Sequence, residues 1–224
     1  MDPKQHAAEA ALAYIQSNMI IGLGTGSTAA FFIQALAQAL RQGKLSNVHG
    51  IPTSLRSEKL AGDLGIPLST LSQHPQIDVT VDGADEVTDD LNAIKGLGGA
   101  LLREKIVAQN TRRFVIIVDS NKHVDQLFSK SPLPVEVAPF AHEAQERFLK
   151  NLGGNPVLRL EKGKPYITDN GNLIYDCRFA PGRDPQKVNA ELAARAGIVE
   201  SGLFLGMAAV ALIADDQKVR TVSR

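Results

Sequence analysis

Apolar and polar positions recur along this chain with two periods, and the switches between them mark its elements. Residues 3–18 carry apolar positions at helical spacing, and Pro3 suits a first helical position. A short apolar run, Met19-Ile20-Ile21-Gly22-Leu23, breaks into Gly24-Thr25-Gly26-Ser27-Thr28, and residues 28–41 read as a buried helix. Beyond it the pattern predicts a strand near 47–51, a helix near 55–64, a strand at 77–82, a helix from 99 to 111 and a strand at 114–118. Such alternation predicts a Rossmann-like, mostly parallel sheet with helices on both faces. Ligands of such sheets sit beyond the carboxyl ends of the strands. The glycine segment, the acidic cluster at 82–86 and the Asp119-to-Lys122 segment all follow strands, so they are expected to converge on one edge.

The texture changes near residue 130. Ser131-Pro132-Leu133-Pro134 reads as a linker. After it come a strand at 135–140, a helix at 141–151, a strand at 156–160 and a hairpin strand at 166–177 containing Asp169-Asn170-Gly171-Asn172. A helix at 185–196 and a strand at 198–204 follow. The order β-α-β-β-α-β is that of a smaller α+β unit, ferredoxin-like, with a split βαβ arrangement. The last strands, 203–213 and 217–223, are expected to return to the first sheet. The predicted division is therefore 1–130 with 205–224 as one domain and 131–204 as an insert.

Composition narrows the class. The chain has 224 residues, 44% hydrophobic and 21% charged, the balance of an ordinary globular protein. Its 24 Lys+Arg and 24 Asp+Glu cancel to a formal charge of +0, so no global field draws it to nucleic acid or to an anionic membrane. A small basic pocket, and with it a phosphorylated small molecule, stays compatible with that balance. The single cysteine, Cys177, cannot close an internal disulfide and reads as a packing or surface residue. Met1 to His6 lack the charged start and apolar core of a signal peptide, and no apolar run approaches ~20 residues, so a cytoplasmic location is expected. His6, His49, His74, His123 and His142 show no metal-ligand spacing.

Four segments can carry chemistry. Gly22-Leu23-Gly24-Thr25-Gly26-Ser27-Thr28 has no lysine after its last glycine, so it is not a Walker A loop. Ser27 also replaces the third glycine of a dinucleotide loop. What remains is either a phosphate cradle at a helix start, with hydroxyls at Thr25, Ser27 and Thr28, or a tight turn with a hydroxyl cap. Asp82-Gly83-Ala84-Asp85-Glu86 sets carboxylates at a strand end, for acid/base or hydroxyl-binding work, for capping the next helix, or for holding Mg²⁺ beside a phosphate. In Lys95-Gly96-Leu97-Gly98-Gly99, a lysine precedes a glycine turn whose backbone can offer donors to an oxyanion. On the helix that follows, Glu104 falls among Ala100, Leu101, Val107 and Ala108, with no cation at helix-pair spacing. A carboxylate so placed is expected to be partly desolvated, which raises its pKa, unless it extends to solvent or a distant arginine neutralises it. Lys122, after the strand ending at Asp119, can reach the same crevice or lie on the surface.

Taken together these segments resemble the ribose-5-phosphate isomerase A family almost end to end. The resemblance rests on Gly22 to Thr28, Asp82 to Glu86, Lys95-Gly96 through Leu102-Arg103-Glu104-Lys105-Ile106-Val107-Ala108, Pro132 to Val137, Thr168 to Asn172 and Gly197 to Phe204. It implies interconversion of D-ribose 5-phosphate and D-ribulose 5-phosphate in the pentose phosphate pathway, with no metal or organic cofactor. It implies Glu104 as the base of a cis-enediolate mechanism, with Lys95 and the backbone of Gly96, Leu97 and Gly98 stabilising the enediolate oxygen. Asp82, Gly83, Ala84 and Asp85 would hold hydroxyls, Asp82 assisting ring opening. Thr25, Gly26, Ser27, Thr28, Lys122 and Lys4 match substrate-binding positions. A homodimer or tetramer is also implied. Leu97 interrupts what is often a triple glycine, where a left-handed backbone would strain a leucine, and Leu102 stands where a small hydroxyl residue is common.

Other readings are an amino-sugar phosphate deaminase, a phosphosugar-sensing regulator and a metal-dependent isomerase. The first needs a ring-opening histidine and different acidic motifs. The second needs a further DNA-binding helix pair, and the residues before Gly22 supply one helix. The third is separated by chelation.

Overall fold

In a computed structural model, residues 2–224 are described. Helix α1, Pro3–Ala11, starts on Asp2, whose carboxylate accepts the Lys4 N–H. It is shorter than the predicted 3–18, because the chain tightens into a 3₁₀ turn at Leu12–Tyr14 and reverses at Asn18, with φ 68°. Then come β1 (Ile20–Leu23), α2 (Ser27–Arg41), β2 (His49–Pro52), α3 (Leu55–Asp63) and β3 (Ile77–Asp82). Two short strands follow, β4 (Glu86–Val87) and β5 (Ala93–Ile94), then α4 (Leu101–Gln109) and β6 (Thr111–Asp119). The next stretch holds β7 (Leu133–Val137), α5 (His142–Asn151), β8 (Asn155–Leu158), β9 (Leu160–Glu161), β10 (Lys164–Pro165), β11 (Leu173–Arg178), α6 (Pro185–Ala193) and β12 (Ile198–Ser201). The chain ends with β13 (Leu203–Phe204), β14 (Val210–Ala214) and β15 (Val219–Ser223).

The main sheet has the order β15-β14-β6-β3-β1-β2. Its strands are parallel except β15, which runs antiparallel on one edge. Alternation along β6 separates two cores. Val115 and Ile117 pack with Ile21, Leu23, Val81 and the buried faces of α1 and α2. Phe114, Ile116 and Val118 face the other way, toward Ala108 of α4, Val87, Ala93 and Phe204. Burial on both faces is what parallel strands require, and it explains their nearly continuous apolar runs.

A second sheet, order β12-β7-β11-β8, is antiparallel throughout. With α5 and α6 it realises the predicted β-α-β-β-α-β order, around Val135, Leu149, Tyr175, Cys177, Val188 and Leu192. Cys177 is fully buried, and burial pushes its thiol pKa well up.

Several boundaries differ from the sequence reading. Leu133 and Pro134 belong to β7 rather than to a linker, and their backbone pairs with β11. The predicted long hairpin strand at 166–177 shortens to β11, because Thr168 to Asn172 make a turn, and the small hairpin of β9 and β10 lies just before that range. The predicted strand at 198–204 splits, since β12 stays in the antiparallel sheet while β13 leaves it to pair with β5. The resulting three-stranded sheet β13-β5-β4 carried no periodic signal, because its strands are two residues long. No helix of the described residues is long and apolar enough to cross a membrane.

Candidate active site

The glycines of the first segment do three different jobs. Gly22 lies inside β1, where a side chain would strike Thr80. At Gly24 a Cβ would stand 2.2 Å from Asp82 Oδ1, so glycine is what lets β1 approach Asp82. Gly26 takes φ 109° at the N-cap of α2. The first intrahelical bond runs from the Ala30 N–H to the Gly26 carbonyl, which leaves the earlier N–H groups of α2 free of helical partners. Ser27 and Thr28 line the cleft at this helix start, and Lys4 reaches from α1 to place its Nζ 3.1 Å from Ser27 Oγ. The Thr25 hydroxyl turns elsewhere. It lies 2.7 Å from Thr53 Oγ1 and 2.8 Å from Ser54 Oγ, within a buried hydroxyl network that includes Ser57. All three of the hydroxyl residues in this segment line the cleft, but Thr25 spends its hydroxyl on packing α3 against the loop.

The acidic cluster splits as well. Asp82 is 1% exposed and does not line the cleft. Its Oδ1 accepts the N–H of Thr25 at 3.0 Å and of Gly83 at 2.7 Å, and its Oδ2 meets Lys95 Nζ at 3.0 Å. Asp85 lines the cleft and accepts the Leu97 N–H at 3.0 Å. Glu86 is buried and accepts the N–H groups of Phe128 and Ser131 at 2.7 and 2.6 Å, so it anchors the chain entering β7. No helix follows for these carboxylates to cap; the next element is β4.

Lys95 follows β5 and is 2% exposed, an unusual burial for an ammonium. Its Nζ donates to the Gly83 carbonyl at 2.5 Å and stands between Asp82 and Glu104, 3.5 Å from Glu104 Oε2. Its backbone N–H ends on the Gly202 carbonyl at 2.9 Å, and a Cβ on Gly202 would come within 2.2 Å of the Lys95 carbonyl oxygen. Phe204 of β13 packs its ring 5.4 Å from Nζ. Gly96 (φ 101°) and Gly99 (φ 81°) take the left-handed backbone of the turn. Leu97 does not, so the strain anticipated there is absent. Its side chain is 39% exposed and lines a neighbouring cleft on the far side of the loop, with Arg56, Arg159 and Tyr166. Its N–H is committed to Asp85.

Glu104, in the first turn of α4, is 3% exposed. It is not the unpaired carboxylate expected from helical spacing, since a lysine from the preceding loop faces it. Its Oε2 is nevertheless buried without a hydrogen-bond partner among the described residues. Burial raises its pKa, Lys95 pulls it down, and Asp82 and Asp85 push it up again; the balance lies at about 8. For Lys95, burial acts to lower the pKa, but Asp82 and Glu104 outweigh it, so the ammonium stays protonated. Burial also pushes Asp82 up, against Lys95 and two backbone N–H groups. One ammonium faces two buried carboxylates here, and of the two only Asp82 also accepts backbone N–H groups.

One cleft gathers Lys4, Thr25, Gly26, Ser27, Thr28, Gly83, Ala84, Asp85, Lys95, Gly96, Gly98, Glu104 and Lys122. Of the residues singled out in the sequence, Asp82 lies behind its wall and Leu97 turns its side chain away. Asp119, at the end of β6, also lines it; its position at a strand end beside Lys122 was the available signal. The Thr53, Ser54 and Ser57 network was missed, because scattered hydroxyls after β2 form no spaced motif. The arrangement joins a cation-flanked helix start, suited to an anion, to a carboxylate poised to exchange a proton.

Residues 49–218 match the family described as ribose 5-phosphate isomerase A (phosphoriboisomerase A). Ribose-5-phosphate isomerase A of Roseiflexus castenholzii is 52% identical over 212 residues, 94% of this chain and 91% of the relative. The chain belongs to the ribose-5-phosphate isomerase A family. Another ribose-5-phosphate isomerase A, from Desulfatibacillum aliphaticivorans, is 50% identical over 97% of this chain and 95% of its own. Those alignments take in nearly the whole chain, whereas the family match begins after the glycine segment. Among solved structures, ribose 5-phosphate isomerase A of Methanocaldococcus jannaschii superposes with a TM-score of 0.94 at 42% identity, covering 100% of this chain and 99% of that one. A D-ribose-5-phosphate isomerase in complex with phospho-erythronic acid superposes with a TM-score of 0.97 at 41% identity, covering 100% and 98%. The mixed α/β fold with its largely parallel main sheet is thus the ribose-5-phosphate isomerase A fold.

Proposed function

We propose that this chain interconverts D-ribose 5-phosphate and D-ribulose 5-phosphate, serving the pentose phosphate pathway, with Glu104 as the group that moves the proton. The observation that carries the assignment of the base is the buried, hydrogen-bond-free Glu104 Oε2, in a carboxyl whose pKa of about 8 suits proton exchange near neutrality.

The substrate phosphate takes the N-terminus of α2, with Lys4, Ser27, Thr28 and Lys122 as donors. The open-chain sugar then extends past Asp85 toward Glu104. Ionised Glu104 takes the proton from C2; the electrons of that bond form the C1–C2 double bond, and the carbonyl pair moves to O1. The proton returns at C1, while the O2 hydroxyl proton passes to O1 as the C2 carbonyl forms. Charge on the oxygens is met by the Lys95 ammonium and by loop N–H donors. Asp82 serves by holding Lys95 and the Thr25 and Gly83 amides rather than by touching hydroxyls, which its burial favours over the ring-opening role. Phospho-erythronic acid, the molecule held by a related isomerase, pairs a phosphate with a carboxylate; its two carboxylate oxygens resemble the enediolate pair.

The decisive experiment incubates purified protein with ribose 5-phosphate and excess EDTA and follows ketose formation. Sustained turnover supports a proton-transfer enzyme. Turnover abolished by EDTA and restored by added metal would favour the metal-dependent alternative, and ammonia release from an amino-sugar phosphate the deaminase. The same reading takes residues 131–204 as an insert domain, a homodimer as the assembly and the cytoplasm as the place of action; sedimentation checks the assembly.

A further inference from the structure

The loop that carries the expected oxyanion donors is gripped from behind. Arg159, between β8 and β9, forms a two-pronged ion pair with Asp176 of β11, with Nε 2.9 Å from Oδ2. Its remaining nitrogen, Nη1, donates to the carbonyls of both Gly96 and Leu97, each at 3.1 Å. Tyr166 packs against the guanidinium, and Arg56 holds the next carbonyl, that of Gly98, at 3.2 Å.

All described peptide bonds are trans, so each carbonyl and the N–H that follows it point in opposite directions. Holding the Gly96 carbonyl outward aims the Leu97 N–H inward, and that N–H does reach Asp85 on the cleft side. Holding the Leu97 carbonyl outward aims the Gly98 N–H the same way. Gly98 lines the cleft, and its N–H has no acceptor among the described residues.

We propose that Arg159, braced by Asp176, is a positioning residue for the isomerisation: by fixing two carbonyls on the far side of the loop it directs the Gly98 N–H at the oxygen on which charge develops. This rests on the isomerase reading above. An arginine is required because one fork must grip a carboxylate while another nitrogen spans two carbonyls, which a lysine cannot do.

The test compares wild type with Arg159→Met, Arg159→Lys and Asp176→Asn in turnover and in inhibition by two probes. Phospho-erythronic acid reads both the anion end and the oxyanion donors; inorganic phosphate reads the anion end alone. In Arg159→Met, kcat falls about tenfold to hundredfold, the scale of a misaimed oxyanion donor. Phospho-erythronic acid binds at least tenfold more weakly, and phosphate inhibition stays within twofold. Lysine does not restore kcat. If Arg159→Met fails to fold, Asp176→Asn supplies the same contrast in smaller measure. Equal weakening of both probes, or a kcat within threefold of wild type, overturns the role of Arg159. A wild type without isomerase activity overturns the functional reading instead, so the two failures are distinguishable.

Discussion

Lys95 Nζ stands closer to Asp82, at 3.0 Å, than to Glu104, at 3.5 Å. The asymmetry fixes the division of labour. Asp82 has its oxygens filled by Lys95 and two backbone N–H groups, while Glu104 feels the ammonium's charge without a hydrogen bond to it. A proton can therefore come and go at Glu104 without disturbing the scaffold.

Replacing Glu104 with Gln removes the base and keeps the shape. Turnover is expected to fall by about 10²–10⁴-fold, with unchanged circular dichroism. In the wild type kcat/KM rises with pH until Glu104 is ionised, near pH 8, and then levels. The residual activity of Glu104→Gln lacks that rise. A near-normal rate in the variant would remove Glu104 from the mechanism.

Stability carries the opposite sign. Because the folded pKa of Glu104 is raised, the folded state keeps a proton that the unfolded chain has already released, so the contribution of this group to stability is full below its unfolded value and is lost as pH climbs toward about 8. Glu104→Gln escapes this decline. Its melting temperature should match wild type near pH 5 and exceed it by a few degrees near pH 9. Thermal melts at both pH values check this; a constant difference would argue that Glu104 stays ionised throughout.

Gly24→Ala drives a methyl group against Asp82, including its Cα at 2.6 Å. Backbone cannot yield as a side chain would, so the strand end and Asp82 separate. A loss of about 1–3 kcal/mol in stability and at least a tenfold drop in kcat are expected. Gly62→Ala, inside α3 with open space around it, is the control: it should leave activity alone and hold or slightly raise the melting temperature.

Lys4→Ala removes a cation from the helix start while leaving Glu104 and Lys95 in place. KM for ribose 5-phosphate should rise about tenfold to hundredfold, the worth of a charge-assisted hydrogen bond, with kcat within threefold. Added salt should narrow the gap between the two proteins. A fall in kcat at constant KM would place Lys4 away from the phosphate.

The sequence was most informative where burial is continuous. Strand β3 ends at Asp82 as the apolar run predicts, and α2, α3 and α5 follow their helical periods closely. Periodicity along α4 placed Glu104 on an apolar face, and it is buried there. What the pattern could not reveal is long-range pairing. The partner of Glu104 comes from the loop before its own helix, and the hydroxyl of Thr25 is claimed by residues 53, 54 and 57. The grip of Arg159 spans more than sixty positions to the loop it holds. Such contacts depend on how sheets stack, which no local period encodes.

The backbone of Lys95 is tied to Gly202, and its ammonium lies against Phe204, more than a hundred positions later in the chain. During synthesis the glycine segment, Asp82 and Glu104 all leave the ribosome well before that clasp exists. A nascent polypeptide that has not yet reached residues 202–204 carries Asp82, Lys95 and Glu104 without the backbone acceptor and the aromatic wall that hold the lysine among them.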